Sequence, residues 1–193
     1  MDTNSIDAYE ANATDFLQHR DRSNIGIQTA QRWARSLKPG TKTIEIACGG
    51  GIPVTQTLLD ARLKLWAIDS SPSLVKIFKQ RFPEVPVQCA SVLESDFFGL
   101  RFEAAISIGL IFLLQEADQI KMLERVSSHL EPGASFLFTA PVETASWTDL
   151  NTGLSCVSLG QDAYQAAFRE FGFNLVDCHQ DSGKNNYYQL EKI

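Results

Sequence analysis

Two carboxylates and a run of glycines are the side chains of this sequence whose types and spacing could do chemistry together. Glu45 and Asp69 flank the turn Cys48-Gly49-Gly50-Gly51-Ile52-Pro53. Thr43-Ile44-Glu45-Ile46-Ala47 reads as a buried strand, Val54 to Ala61 as a helix, and Lys64-Leu65-Trp66-Ala67-Ile68-Asp69 as a second strand ending in an acid. A βαβ unit of this kind sets its turn and its terminal acid at the carboxyl edge of a parallel sheet, where ligands bind in open α/β folds. Glycines let the backbone take positive φ and approach a ligand closely, and Pro53 stands where a first helical turn tolerates proline. Glu45 interrupts an apolar strand, where an ionised side chain is costly unless it is paired.

The spacing separates two kinds of ligand. A dinucleotide fingerprint needs G-x-G-x-x-G, and Val54 stands where its third glycine should be. The pattern acid-x-small-x-Gly-x-Gly, made by Glu45, Ala47, Gly49 and Gly51, resembles motif I of the class I S-adenosylmethionine-dependent methyltransferases. That resemblance implies S-adenosylmethionine as cofactor and S-adenosylhomocysteine as product. It implies that Asp69 holds both ribose hydroxyls, a task for which a carboxylate with several lone pairs is suited. It places Glu45 near the methionyl ammonium, with Ala47, Cys48, Gly49, Gly50, Gly51, Ser70 and Ile108 around the cofactor. Ala47 stands where many relatives carry Gly, so it is expected to keep an ordinary extended conformation.

The positioning elements follow in order. Ile6, Tyr9, Ala13, Phe16 and Leu17 recur at helical spacing, as do Ile27, Ala30, Trp33, Ala34 and Leu37, with Ser23-Asn24 as N-cap of the second helix. In the family such a segment closes over the cofactor, making Tyr9 and Arg20 candidate contacts. Ser71 caps a helix that Pro72 opens. Val85 to Ser91 is a third strand; relatives often carry an adenine-binding acid just after it, and here Ser91 and the Val92 amide take that place. Phe102 to Ile108 is an apolar run suited to a strand covered on both faces. After it the resemblance puts Leu110 and Phe112 at the acceptor wall. Neither an [D/N]-P-P-[Y/F] motif nor a Pro-Cys pair occurs there, which argues against nucleobase or amide amino-methylation and against C5-cytosine chemistry. Glu116 to Leu130 is amphipathic, Leu130-Glu131-Pro132-Gly133 stops it, and Ser135 to Ala140 is a strand. Residues 141–159 lack periodicity and read as an irregular substrate flap carrying Trp147. Gln161 to Phe171 is a helix closed by Gly172. Phe173 to His179 and Asn186 to Lys192 form a hairpin. Tyr188 and Lys192 match Y-x-x-x-K, but on a strand they lie roughly 13 Å apart, which rules out dehydrogenase chemistry. The hairpin also carries D-x-G-x-N-x-Y-Y, as Asp181, Gly183, Asn185, Tyr187 and Tyr188, a signature similar to that of small bacterial-type methyltransferases.

The fold so implied is an α/β three-layer sandwich. It has a seven-stranded, mostly parallel sheet whose last strand is antiparallel, and helices on both faces. One domain is expected over 1–193, with an N-terminal helical lid at 1–38 and a Rossmann-like core at 39–193. The chain has 193 residues and a net charge of −6, enough for a real core and unsuited to non-specific nucleic-acid binding. Four scattered cysteines without a C-x-x-C pair point to free thiols, a reducing compartment and no metal site. The apolar run 104–114 is too short to span a bilayer, and the polar start shows no secretory signal. A cytoplasmic monomer or homodimer acting on a small-molecule acceptor is expected, without nucleic-acid or membrane partners. A non-catalytic cofactor-binding module or subunit, or a protein or nucleic-acid methyltransferase, remains open. No base is assigned: His19, Tyr187 and Tyr188 are candidates.

Overall fold

The computed structural model describes residues 10, 17, 20–23, 25–149 and 153–193. The positions Tyr9 and His19, and the helical pattern of Ile6, Ala13 and Phe16, lie outside them. Five strands of the sheet alternate with helices: β1 (Lys42–Ile46), β2 (Lys64–Asp69), β3 (Val87–Cys89), β4 (Phe102–Ser107) and β5 (Leu130–Thr139). The helices are α1 (Ile27–Ser36), α2 (Val54–Asp60), α3 (Pro72–Arg81) and α4 (Glu116–Ser128). A hairpin of β6 (Thr144–Thr148) and β7 (Ser155–Leu159) follows, then α5 (Gln161–Glu170) and a second hairpin of β8 (Phe173–Gln180) and β9 (Asn186–Lys192).

The main sheet has seven strands in the order β3-β2-β1-β4-β5-β9-β8. Only β9 runs against the rest, pairing antiparallel with both β5 and β8. The chain order reverses between β1 and β4, which makes their carboxyl ends a ligand crevice by topology alone. Helices cover both faces. Ile44, Ile46, Ala105, Phe136 and Phe138 face Met122, Leu123 and Val126 of α4 and Tyr164 and Phe168 of α5. Leu65, Ala67, Ala104, Ile106 and Leu137 face Ala30 and Trp33 of α1, Leu58 of α2 and Phe78 of α3. Each fully buried large apolar side chain contributes roughly 1.5–3 kcal/mol. The Trp33 indole N–H, 2.8 Å from Ser135 Oγ, also ties α1 across to β5.

Several local expectations are corrected. Gly26, not Ser23-Asn24, caps α1, and it does so with φ 83° and no side-chain bond. The third strand is only Val87–Cys89; on its N-terminal side Pro86 has no N–H to give to a ladder. Pro132-Gly133 lies within β5 rather than ahead of it, in a register shift against β4 between Phe102 and Ala104. Helix α4 accordingly ends at Ser128, leaving Leu130 to the strand. The described part of 141–159 is not irregular throughout. It contains the antiparallel β6–β7 pair, whose first strand is exposed at all five positions while Cys156 and Ser158 of the second are buried.

Tyr187 and Tyr188 are consecutive on β9 and therefore point to opposite faces. Tyr188 falls among Phe138, Tyr164 and Phe168, with ring centroids 5.3–6.0 Å away. Its hydroxyl is buried without a hydrogen-bond partner among the described residues. Such an orphan costs more than a filled apolar site of the same shape. Tyr188→Phe is therefore expected to raise unfolding stability by about 1 kcal/mol, read from urea midpoints, without weakening cofactor binding; a loss of stability would mean that the hydroxyl is satisfied.

Candidate functional site

Three connected chambers lie along the carboxyl ends of β1, β2, β4 and β5. The largest, about 290 Å³, is lined among others by Arg20, Ala47, Gly49, Asp69, Ser70, Ile108, Leu110, Phe112, Thr139, Asp149, Asn185 and Tyr187. A pocket of about 40 Å³ opens from it toward Glu45, Cys48 and Gly50, sharing Arg20, Ala47, Gly49 and Ile108. A third, of about 20 Å³, is formed by Ser91, Val92 and Ala90, and shares Ala47, Asp69, Ser70 and Leu110. Ala47 thus lines all three.

Asp69 ends β2 and is 8% exposed. Its Oδ2 accepts the Gly49 N–H at 2.8 Å and its Oδ1 the Ser71 N–H at 2.9 Å. Burial raises its carboxyl above the usual range, against the pull of those backbone amides. The Ser70 amide also supports it, and a carboxylate offers about four acceptor positions, so capacity remains for a ligand. Ser71 in turn caps α3 by accepting the Leu74 N–H at 3.2 Å.

Glu45 lies on the opposite side of the glycine turn, 4% exposed on the α2 face of β1. Its Oε2 accepts the Thr55 hydroxyl at 2.6 Å. Burial pushes its carboxyl up to about 8, partly opposed by the Thr55 bond and by the Arg20 charge. Burial also lowers the Arg20 guanidinium, while the Tyr187, Glu45 and Asp21 charges support it. Arg20 Nη1 donates to the Ile25 carbonyl at 3.3 Å.

The turn itself departs from expectation. Ala47 is not extended: its φ is 60°, a left-handed conformation that costs an L-residue roughly 1–2 kcal/mol. The chain must bend sharply there to bring the Gly49 N–H onto Asp69. Gly50 and Gly51 are small for packing reasons. A Cβ on Gly50 would come within 2.3 Å of Leu17, and one on Gly51 within 2.3 Å of the Phe82 ring. Gly51 does not line any of the chambers.

The N-terminal residues that are described dock over this turn. Glu10 accepts from the Ser71 hydroxyl at 2.5 Å, from the Ser73 N–H at 3.2 Å and from the Ser73 hydroxyl. Leu17 packs with Leu74 and Ile77. The Asp21–Arg81 ion pair closes at 2.6 Å, and Arg81 also donates to the Gly50 carbonyl at 3.1 Å.

At the open end, Leu110 and Phe112 line the main chamber, and Gly109 donates to Thr139 Oγ1 at 2.7 Å to fix their loop. Trp147 does not line it; it covers Phe112 from outside, with ring centroids 5.6 Å apart. Tyr187 contributes to the wall, but its hydroxyl donates to Asp181 Oδ2 at 3.0 Å and sits under Gly26. Burial and the Asp181 charge push that phenol up, so it is a poor base. Tyr188, on the far face, is removed from the site. The sequence reading passed over Ser71, Leu113, Thr139, Asp149 and Asn185. Thr139 and Asn185 were within reach, one ending a parallel strand and the other inside the D-x-G-x-N-x-Y-Y signature. Glu10 leaves no local signal.

Residues 44–133 match the family described as a methyltransferase domain. No curated protein matches the sequence. Solved structures share the architecture. The magnesium protoporphyrin IX methyltransferase of Synechocystis PCC 6803 with bound S-adenosylmethionine has a TM-score of 0.77 at 13% identity, covering 100% of this chain and 98% of that one. The glycopeptide N-methyltransferase MtfA with S-adenosyl-L-methionine has 0.71 at 18%, covering 90% and 96%. The 1,6-didemethyltoxoflavin-N1-methyltransferase of Burkholderia thailandensis, with 1,6-didemethyltoxoflavin and S-adenosylhomocysteine, has 0.73 at 17%, covering 95% and 88%.

The buried Glu45 gives a stability signature with a definite sign. Its folded carboxyl, at about 8, lies above the ordinary 4.5, so the folded chain holds the extra proton between those values. Stability from this group is therefore lost as pH rises through that window. Glu45→Gln should melt close to the parent at pH 5 and roughly 5 °C or more above it at pH 9; a constant difference across pH would reject the shift.

Proposed function

We propose that this chain is a class I, Rossmann-like methyltransferase that uses S-adenosylmethionine, a reading its methyltransferase-domain match and its fold support, and that it methylates a small molecule held in the chamber between Phe112, Asp149 and Asn185. The observation that carries this reading is the three-lobed cleft, with a buried acid at either side of one left-handed bend. The residues suit the cofactor's parts. Glu45 is a buried carboxyl with a single hydroxyl partner, and an ammonium group beside it would restore its charge. Asp69 keeps acceptor positions directed at a diol. Ser91 and Val92 shape the small lobe for the base, and Arg20 lies where it could meet a carboxylate.

When bound, the cofactor supplies a methyl group on a sulfonium, whose leaving group is a neutral thioether. The chain then has mainly to align the nucleophile with that carbon and to keep water away, an effect that can be worth several kcal/mol. Leu110, Phe112 and Leu113 form the dry wall for this purpose. Glu10, Leu17 and Asp21, which dock over the glycine turn, belong to the lid in this reading, whereas α1 is part of the packed sheet face; the β6–β7 hairpin is the acceptor-side cover. No helix among the described residues is long and apolar enough to cross a membrane, and no group of three or more possible metal ligands occurs among them.

Calorimetric titration with S-adenosylmethionine and S-adenosylhomocysteine tests the reading. Asp69→Ala is expected to weaken S-adenosylhomocysteine at least about tenfold, or about 1.4 kcal/mol; an unchanged affinity would remove Asp69 from the ribose role. Affinity should also strengthen as pH rises toward 8, because Glu45 must release its proton to face the ammonium, and that dependence should vanish in Glu45→Gln.

A further inference from the structure

The acceptor end of the cleft has a hydrogen-bonding polarity that identifies the kind of nucleophile it takes. Asp149, just beyond β6, lines the chamber, and its charge reaches Cys156 on the paired strand. Asn185 lines the same end, and its Nδ2 is held 3.3 Å from both oxygens of Asp181. Among the described residues the bonds of its side chain are made through Nδ2, which leaves the carbonyl Oδ1 as the acceptor it can offer. Asp181 is itself fixed by the Gly183 N–H at 2.8 Å and the Asn185 N–H at 2.9 Å. Thr139 Oγ1 accepts the Gly109 N–H at 2.7 Å and keeps its own O–H as a donor. The remaining walls are the rings of Phe112 and Tyr187 with Leu110 and Leu113. Arg20, the only cation among the described lining residues, is shared with the Glu45 pocket. A carboxylate, an amide carbonyl and aromatic faces form a site for a donor-rich cation rather than for an anion.

Resting on the methyltransferase reading, we infer that the acceptor is an amine with an apolar body, bound as an ammonium ion between Asp149 and Asn185. The ammonium first gives a proton to solvent. The nitrogen lone pair then forms the N–C bond while the C–S bond breaks, its electron pair staying on sulfur as the thioether. The product is an N-methylammonium ion, so one positive charge passes from sulfur to nitrogen. Groups that accept hydrogen bonds from that nitrogen hold it more strongly as charge develops, which favours the transition state over the neutral amine. A thiolate, phenolate or carboxylate nucleophile would instead be repelled by Asp149. Those nucleophiles also gain nothing from the Tyr187 hydroxyl, which is committed to Asp181.

The test uses the full chain with a matched set of phenylalkyl compounds that differ only in an amino, hydroxyl, thiol or carboxylic acid group. With labelled S-adenosylmethionine, label should enter the amine, and the rate should rise about tenfold per pH unit below the amine's own pKa. Calorimetric titration of the amine into the protein–S-adenosylhomocysteine complex should show binding that Asp149→Asn weakens at least tenfold and Asn185→Leu weakens less. Asp149→Asn should leave S-adenosylhomocysteine affinity unchanged, which separates acceptor recognition from misfolding. Label in the thiol, hydroxyl or acid alone would overturn the amine assignment while the methyltransferase reading stands. So would S-adenosylhomocysteine binding with no amine labelled, or amine binding indifferent to Asp149→Asn. Failure of S-adenosylhomocysteine to bind at all would instead sink the underlying reading.

Discussion

The carboxylate of Asp69, bridging the backbone amides of Gly49 and Ser71, is the contact on which the site is built. It ties the turn after β1 to the start of α3, a joint that the β1–β2 pairing and the Arg81 bond to the Gly50 carbonyl reinforce. Ser71 then caps α3 and receives Glu10, so the N-terminal segment inherits its position from the same point. A buried carboxylate is tolerable only when its oxygens are satisfied, and here the backbone of the ligand site does the satisfying. The chain cannot open this turn without leaving a charge unpaired.

Glu45 and Asp69 show how one residue class acquires two properties from its surroundings. Asp69 is supported by the backbone amides of Gly49, Ser70 and Ser71; Glu45 has one hydroxyl and the charge of a guanidinium. The first is held as a structural clasp with acceptor capacity to spare. The second is under-compensated, and an incoming cation restores what burial has taken away. Strain at Ala47 belongs to the same account, since the left-handed bend is what brings Gly49 to Asp69. Such local costs persist where the surroundings over-determine them. Here those surroundings are the sheet and the packed rings of Phe136, Phe138, Phe168 and Phe173 on its far face.

What the sequence revealed follows contact range. Glu45, the glycine turn, Asp69 and the Ser71-Pro72 helix start lie within one βαβ unit, where spacing and propensity act on neighbours. The final hairpin was legible because β8 and β9 carry a short polar connection between strand-forming runs. The β6–β7 hairpin was not, because Thr144 to Thr148 is exposed throughout and shows no alternation of burial. Its pairing comes from β7 and the loop beneath it. Pro132-Gly133 read as a helix stop and instead forms an irregular start to β5, where tertiary pairing overrides a local breaker. Tyr187 and Tyr188 looked equivalent as letters. Strand parity separates them, but only once the face of β9 is known.

The two halves of the cleft differ in how they are encoded, and this bears on specificity. The half beside Glu45, Gly49 and Asp69 comes from one continuous stretch cross-braced by hydrogen bonds, so a change there disturbs the fold. The half beside Phe112, Asp149 and Asn185 is gathered from three connections that meet above the sheet, each held by its own local bonds: Gly109 to Thr139, Asp149 to Leu154, and Asp181 to Asn185. Substitutions in these connections alter shape and charge at the open end while the Asp69 clasp is unaffected. Loops carried on a rigid scaffold are where recognition is free to vary. A charge placed at Asp149, in the same chamber as Asp69 but outside the Glu45 pocket, therefore reports on what is recognised there rather than on what holds the sheet together.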